Sequence, residues 1–202
     1  MGPRGNLKMK IVAILLLVSF LAACTGGREF VKPENEAPVL ASTTYDQIVK
    51  SYGEPRRTGT LTRNGVALRT VTYSHAVAIP FSTKLSTRAM VFVFEGNTLV
   101  SYDYASSFEE DRNAVNIDDE KVNQLAKGDK KSKVLAILGK PTGEAIHPVA
   151  PAKGGSLVRY SYMSTYRIPF NPVPRVTRKS VTIAFDANDI VTEITSTETK
   201  PN

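Results

Sequence analysis

Apolar and polar positions along this chain follow two periods, and each period occurs twice. Ile48, Val49 and Tyr52 fall at helical spacing between Ser42-Thr43-Thr44 and Gly53-Glu54-Pro55. The hydroxyl side chains can cap a helix start, Thr43 and Asp46 are spaced for a capping box, and Gly53 offers a left-handed end that Pro55 closes. A second helix is predicted from Val134, Ile137 and Leu138, with Asp129 as its cap and Gly139 and Pro141 as its stop. Strand-like runs follow each helix: Val66–Phe81 and Leu157–Phe170, then Ala89–Phe94 and Ser180–Phe185, then Leu99–Tyr104 and Ile190–Thr195. Glu95-Gly96-Asn97 and Asp186-Ala187-Asn188-Asp189 supply the turns. Tyr160, Tyr162, Tyr166, Ile168 and Phe170 share one parity and therefore one face of a strand.

The two halves align in order. Ile48–Pro55 matches Val134–Pro141 at an offset of 86, and Phe94–Val100 matches Phe185–Val191 at 91. Between them, Tyr73 falls on Tyr162, and Ile79-Pro80-Phe81 recurs as Ile168-Pro169-Phe170, both at 89. Four blocks in one order predict a tandem repeat. The fold class is α+β: two modules, residues 42–105 and 117–202, joined by a linker over 106–116. Each module is a short helical segment packed on a three-stranded antiparallel sheet.

Ahead of the repeats, Arg4, Lys8 and Lys10 precede an apolar run from Ile11 to Phe20. The run is short for a bilayer span, and its basic and small-residue flanks predict a signal peptide over residues 1–23. Leu21-Ala22-Ala23-Cys24 resembles the bacterial lipobox. That resemblance implies a diacylglyceryl group on the Cys24 thiol, cleavage before Cys24, and acylation of the new N-terminus. Membrane lipid is then a partner through Cys24. Thr25 rather than Asp after the cysteine implies the periplasmic face of the outer membrane. Residues 24–41, with Gly26-Gly27, Pro33, Pro38 and mixed charges, read as a tether.

Composition narrows the function classes. The chain of 202 residues carries 26 basic and 19 acidic side chains, a net charge of +7. Without the three cations of the signal segment the balance is +4, too weak to point to nucleic acid, which an exported chain does not meet. One cysteine and two histidines exclude a disulfide scaffold, a Cys/His zinc site and a dithiol redox centre. No cofactor or metal is expected. Glu109-Glu110-Asp111 and Asp118-Asp119-Glu120 match no calcium-loop spacing.

The stretch Gly128 to Pro141 resembles the helix signature of the SmpA/OmlA (BamE-like) outer-membrane lipoproteins, keeping Gly128, Val134, Leu138, Gly139 and Pro141 in step. The first copy keeps Gly53 and Pro55 but has Ser42 at the leading glycine position. The resemblance implies a lipid-anchored, non-enzymatic module that binds an envelope protein partner in outer-membrane assembly or integrity. Tandem modules of similar shape also occur in secreted β-lactamase inhibitor proteins. That gives an alternative, an inhibitor-like binder of a soluble periplasmic enzyme. A hydrolase using His75 or His147 is a third reading, without a nucleophile elbow or metal-binding helix to support it.

Two features stay open at this level. Lys130, Lys131 and Lys133 oppose the dipole at a helix start, so they either meet an anion or are neutralised by nearby acids. The repeated Ile-Pro-Phe segments either bend strands over the core or expose apolar side chains to a partner. The candidate binding residues are Ile79, Phe81, Ile168 and Phe170.

The anchor is directly testable. Intact-mass analysis of the mature protein should show a chain starting at Cys24 with added acyl mass, and Cys24→Ser should leave uncleaved or unanchored protein. A mature chain starting elsewhere without acyl groups would remove the lipobox reading.

Overall fold

The computed structural model describes residues 25–27, 29–30, 38–79, 81–111, 116–169 and 173–199. Cys24 and the signal segment lie outside the described residues, as do Pro80 and Phe170.

Helix α1 (Tyr45–Tyr52) is capped by Thr44, one residue later than the Thr43–Asp46 spacing predicts. Thr44 Oγ1 accepts from the Gln47 amide at 3.3 Å, and Gln47 Oε1 accepts from the Thr44 amide at 2.8 Å. The reciprocal bond needs a side chain three positions beyond the true cap, which makes Gln47 rather than Asp46 the partner. Helix α2 is a single turn, Asp119–Val122, capped by Asp118. Helix α3 (Lys131–Leu138) has no side-chain cap. Asp129, the expected cap, instead closes the preceding turn: its carboxylate accepts from the Ala126 amide at 2.8 Å and from Lys133 Nζ at 2.9 Å.

Both longer helices end alike. Gly53 has φ 77° and ψ −167°, and Gly139 has φ 78° and ψ −158°. The positive φ is what a glycine stop provides, but ψ is extended rather than left-handed, in a region open almost only to glycine. Each glycine carbonyl then accepts a tyrosine hydroxyl from the sheet: Tyr73 to Gly53 at 2.8 Å, and Tyr160 to Gly139 at 2.9 Å. The counterpart of Tyr73 by contact is therefore Tyr160, two residues from the Tyr162 that sequence spacing selects. Each helix start also leans on a distant turn. The Tyr45 amide donates to Asn97 O at 3.1 Å and the Lys131 amide to Asp189 O at 2.9 Å.

The strands are β1 (Thr25–Gly27), β2 (Arg57–Arg63), β3 (Val66–Ala78), β4 (Lys84–Glu95), β5 (Thr98–Ser106), β6 (Gly143–Ile146), β7 (Ser156–Tyr166), β8 (Arg175–Phe185) and β9 (Val191–Thr199). All pairings are antiparallel, in the order β1-β3-β4-β5-β6-β7-β8-β9, with β2 also on β3. This differs from the expected pair of separate three-stranded sheets. The strands form one sheet because β6 pairs with both β5 and β7, and because Lys84 and Leu85 of β4 pair with Tyr166 and Thr165 of β7. Gly143 permits the first join: a Cβ there would lie 2.5 Å from the Tyr102 carbonyl oxygen.

Each long helix covers its own core. Under α1 lie Phe30, Ile48, Tyr52, Val71, Tyr73, Met90, Phe92, Phe94 and Leu99. Under α2 and α3 lie Val122, Leu125, Val134, Val158, Tyr160, Val181, Ile183 and Phe185. Leu68, Val93 and Val100 form a third cluster, with Ile146 and Val149 packed against it. Phe30 enters the first core from the segment read as a tether, so that segment joins the fold well before residue 41. The one-face reading of β7 also changes along the strand. Tyr160 is buried, but beyond it Met163 and Thr165 are buried and Tyr162 and Tyr166 only half so.

The two tyrosine-to-glycine bonds should be measurable. Tyr73→Phe or Tyr160→Phe should each cost about 1 kcal/mol, lowering Tm by roughly 2–4 °C. Burial, with smaller contributions from Tyr45 and Glu54, pushes the Tyr73 hydroxyl up to about 12. Burial likewise raises Tyr160, Tyr102 and Tyr104. The unfolded chain loses these protons first, from about pH 10, so this stabilisation is complete below that pH and is lost as pH rises through the folded values. Denaturant melts across alkaline pH should show that fall, and Tyr73→Phe should flatten it.

Candidate docking end of the sheet

The β4–β7 pairing places the hairpin ends of both halves side by side. The β3–β4 connection spans residues 79–83, and the β7–β8 connection follows Tyr166. The Arg167 amide donates to Thr83 O at 2.6 Å, which ties one connection to the other. In the first, Ser82 N donates to Ile79 O at 3.2 Å and Lys84 N to Ser82 Oγ at 3.0 Å, forming a compact turn. Phe81 sits in it at φ 58°, a conformation unfavourable for an aromatic residue, with its ring fully exposed (110%). Ile79 is 37% exposed, Val173 66% and Val176 41%. Ile168 is half-buried. The four sequence candidates thus divide: Ile79 and Phe81 face solvent, Ile168 is partly covered, and Phe170 lies outside the described residues.

Beside the first turn the strand edges are taken. At the end of β3 the outer edge is taken by β1, in the register Thr25↔Val77, Gly26↔Ala76 and Gly27↔His75. At the start of β4 it is taken by β7. The two connecting segments are basic. Residues 77–87 and 163–178 contain Lys84, Arg167, Arg175 and Arg178 and no acidic residue. Lys84, Arg167 and Arg178 are exposed.

Behind the turns lies a buried polar cluster. Arg88 is 2% exposed, and its Nε lies 3.2 Å from an Oδ of the fully buried Asp111. Arg88 Nη2 reaches Glu110 at 3.1 Å and Nη1 reaches Glu29 at 3.4 Å. The Asp111 carboxylate also accepts from the Tyr104 hydroxyl at 2.7 Å and from Ser106. The guanidinium rests over the Phe108 ring at 3.9 Å from its centre, and Phe108 stacks on His75 with an interplanar angle of 11°. Thr87 Oγ1 meets Thr165 Oγ1 of the second half at 3.0 Å. A second polar join lies along β5. Asp103 accepts from Ser161 at 2.9 Å and approaches Arg159 at 3.6 Å. None of these joins was read from the sequence. The signal available for Arg88 is a cation directly ahead of the apolar run from Ala89 to Phe94.

The remaining candidates resolve into structural roles. Lys133 pairs with Asp129 at 2.9 Å and Lys131 with Asp189 at 3.6 Å, so nearby acids neutralise the start of α3. The Lys133 hydrogen bond, then the Ala126 amide, holds the Asp129 carboxyl below the usual range. Asp119 pairs with Lys179 at 2.6 Å. Neither histidine makes a side-chain hydrogen bond to the described residues, and Nδ1 of His75 is buried without one. The cleft beside β1 is lined by Gly27, Tyr52, Glu54, Arg56, Tyr73 and Ser74, and holds neither histidine. Among the described residues no three His, Cys, Asp or Glu side chains converge to hold a metal. No described helix is long and apolar enough to cross a membrane.

Comparison with known proteins bears mainly on the second half. Residues 114–195 match the family model described as the outer membrane protein assembly factor BamE domain. No curated protein matches the chain. Among solved structures, a Streptococcus mutans chain proposed to be a β-lactamase inhibitor protein aligns with 91% of this chain and 96% of its own. Its sequence identity is 14% and its TM-score 0.41.

The two parts of this end should respond oppositely to truncation. Asp111→Ala removes the buried carboxylate partner of Arg88 and leaves the Tyr104 and Ser106 hydroxyls without that acceptor; it should cost about 3–5 kcal/mol, a fall of roughly 10 °C in Tm. Phe81→Ala should leave Tm within about 1–2 °C, because the ring buries nothing and surface changes stay near ±0.5 kcal/mol. Thermal denaturation of the two variants checks both.

Proposed function

We propose that this chain is a non-enzymatic docking protein of the bacterial envelope, held by acyl chains on Cys24 at the periplasmic face of the outer membrane. It binds another envelope protein in the assembly or upkeep of that membrane. Its folded part consists of two BamE-like modules, residues 42–105 and 117–202, and Ile79, Phe81, Ile168 and Phe170 are its docking residues.

One observation carries most of this reading. The helix-to-sheet closure of the half that matches the BamE domain recurs in the half that does not: Tyr73 to Gly53 repeats Tyr160 to Gly139, with glycine φ values of 77° and 78°. Shared closure supports common descent of two modules where sequence similarity has faded. The dispersal of titratable groups into ion pairs and caps supports binding over catalysis.

Affinity capture of the acylated protein from solubilised membranes, followed by mass spectrometry, tests the reading. The expected partner is a membrane-embedded envelope protein. Recovery of a soluble periplasmic enzyme would replace it with the inhibitor-like role. His75→Ala and His147→Ala should leave capture unchanged, and loss of a hydrolytic activity in either variant would revive the hydrolase reading.

A further inference from the structure

The register of β1 fixes where an anchor on Cys24 would emerge. Thr25 pairs with Val77, and the chain toward Cys24 runs antiparallel to β3, in the direction of Ala78 and Ile79. Cys24 lies one peptide unit, about 3.8 Å between Cα atoms, from Thr25. The next row of the sheet is Ala78, Leu85, Thr165 and Val176, and the one after it is Lys84, Tyr166 and Arg175. At about 4.8 Å per strand, the span from β1 across β3, β4 and β7 to β8 is roughly 19 Å. Phe81 is four residues beyond Val77, at most roughly 14 Å away. Thr25, the exposed apolar side chains and the cations Lys84, Arg167, Arg175 and Arg178 thus share one end of the molecule.

From this juxtaposition we propose that the hairpin end lies flat on the leaflet that carries the acyl chains of Cys24. Phe81, Ile79, Val173 and Val176 enter the interface between headgroups and acyl chains. Lys84, Arg167 and Arg178 sit at the level of anionic headgroups. The proposal rests on acylation of Cys24 and departs from the docking assignment above at two residues: Ile79 and Phe81 meet membrane lipid, and the protein partner is held elsewhere. Three features agree with lipid as the occupant. Lys84, Arg167 and Arg178 are exposed and lie in segments, 77–87 and 163–178, that hold no acidic residue, which favours an anionic surface. The Phe81 ring can bury its apolar surface at the boundary between headgroups and acyl chains, as the apolar side chains of interfacial segments do. A strained, fully exposed Phe81 contributes nothing to either core, which leaves its position to be explained by what it contacts outside the protein.

The chain contains no tryptophan, so a single introduced one reports its own surroundings. The acylated protein carrying Phe81→Trp is reconstituted into vesicles of phosphatidylcholine and phosphatidylserine with brominated acyl chains. Val39→Trp is the control. Val39 is exposed beside Ala41, whose amide donates to Leu99 O, near the far end of β4 from Lys84. Eleven residue steps of β4 separate those ends by roughly 36 Å. The tryptophan of Phe81→Trp should be blue-shifted and quenched, and that of Val39→Trp unaffected. Equal, weak quenching of both in vesicle-bound protein would overturn the proposal while leaving the anchor intact. A blue shift at position 81 without bromine quenching would also overturn it, because a protein rather than lipid would then cover the turn.

A second arm separates this idea from the anchor. The full chain with Cys24→Ser should still partition onto vesicles containing phosphatidylserine, and Lys84→Glu with Arg167→Glu should reduce that partitioning roughly tenfold or more. Should intact mass show no acyl group on Cys24, this arm decides alone. Charge-dependent partitioning would support the face, and its absence would remove it.

Discussion

The ion pair between Arg88 and Asp111 is the interaction on which the arrangement of this protein turns. Burying two charges is costly unless each finds several partners, and removing one partner leaves the other stranded. Here the partners come from parts of the chain far apart in sequence. Arg88 belongs to β4, Asp111 and Glu110 to the segment after β5, and Glu29 to the segment after β1. Tyr104 and Ser106 also donate to the Asp111 carboxylate. One guanidinium therefore fixes the path of the N-terminal segment, the departure of the connection between the halves, and the strand that reaches across to the second half. Thr87, next to Arg88, makes that last contact through Thr165.

The sheet turns these local ties into a shared geometry. Because β6 and the short β4–β7 ladder join the halves edge to edge, the two Ile-Pro-Phe connections lie together instead of on separate bodies. Asn64 adds a tie at the other margin: its side-chain amide donates to Pro148 O at 3.0 Å and Ala150 O at 3.2 Å. The loop it holds carries Val149 over the face of the sheet opposite α1, against Leu68, Val93 and Val100. The order of the two halves along the chain is thus expressed as one sheet covered by helices and a loop.

Local chemistry was the most legible part of this fold in sequence. Gly53 and Gly139 mark real helix ends because a positive φ is available to glycine at little cost. The three long strands after each helix follow from period-two patterning. Short-range choices were less legible. Thr43 and Thr44 are both able caps, and the reciprocal bonds with Gln47 together with the Asn97 turn select Thr44. β2 carries mostly exposed side chains, so it lacks an apolar alternation, although Asn64-Gly65 is a hairpin signal in itself. Joins between the halves were invisible for a physical reason: Gly143, Thr87 and Asp103 acquire meaning only from residues about 40 to 80 positions away. The candidate site was half legible. Sequence repetition found Ile79 and Phe81, but the cations around them and the proximity of β1 depend on strand order.

The shortness of β1 has a mechanical consequence. A load between an anchor on Cys24 and the folded body would enter the molecule at Thr25, where only three residues are paired with β3. Next in line are the Arg88–Glu29 contact, exposed on its carboxylate side, and the ring of Phe30 in the first core. The two longer helices and the long ladders lie behind them. Tension would therefore peel the leading segment in steps, releasing up to fourteen residues from Thr25 to Pro38. These extend to roughly 50 Å at most. Under pull the same segment would become a long leash, and the first core would give up the Phe30 ring while keeping its helix and sheet residues.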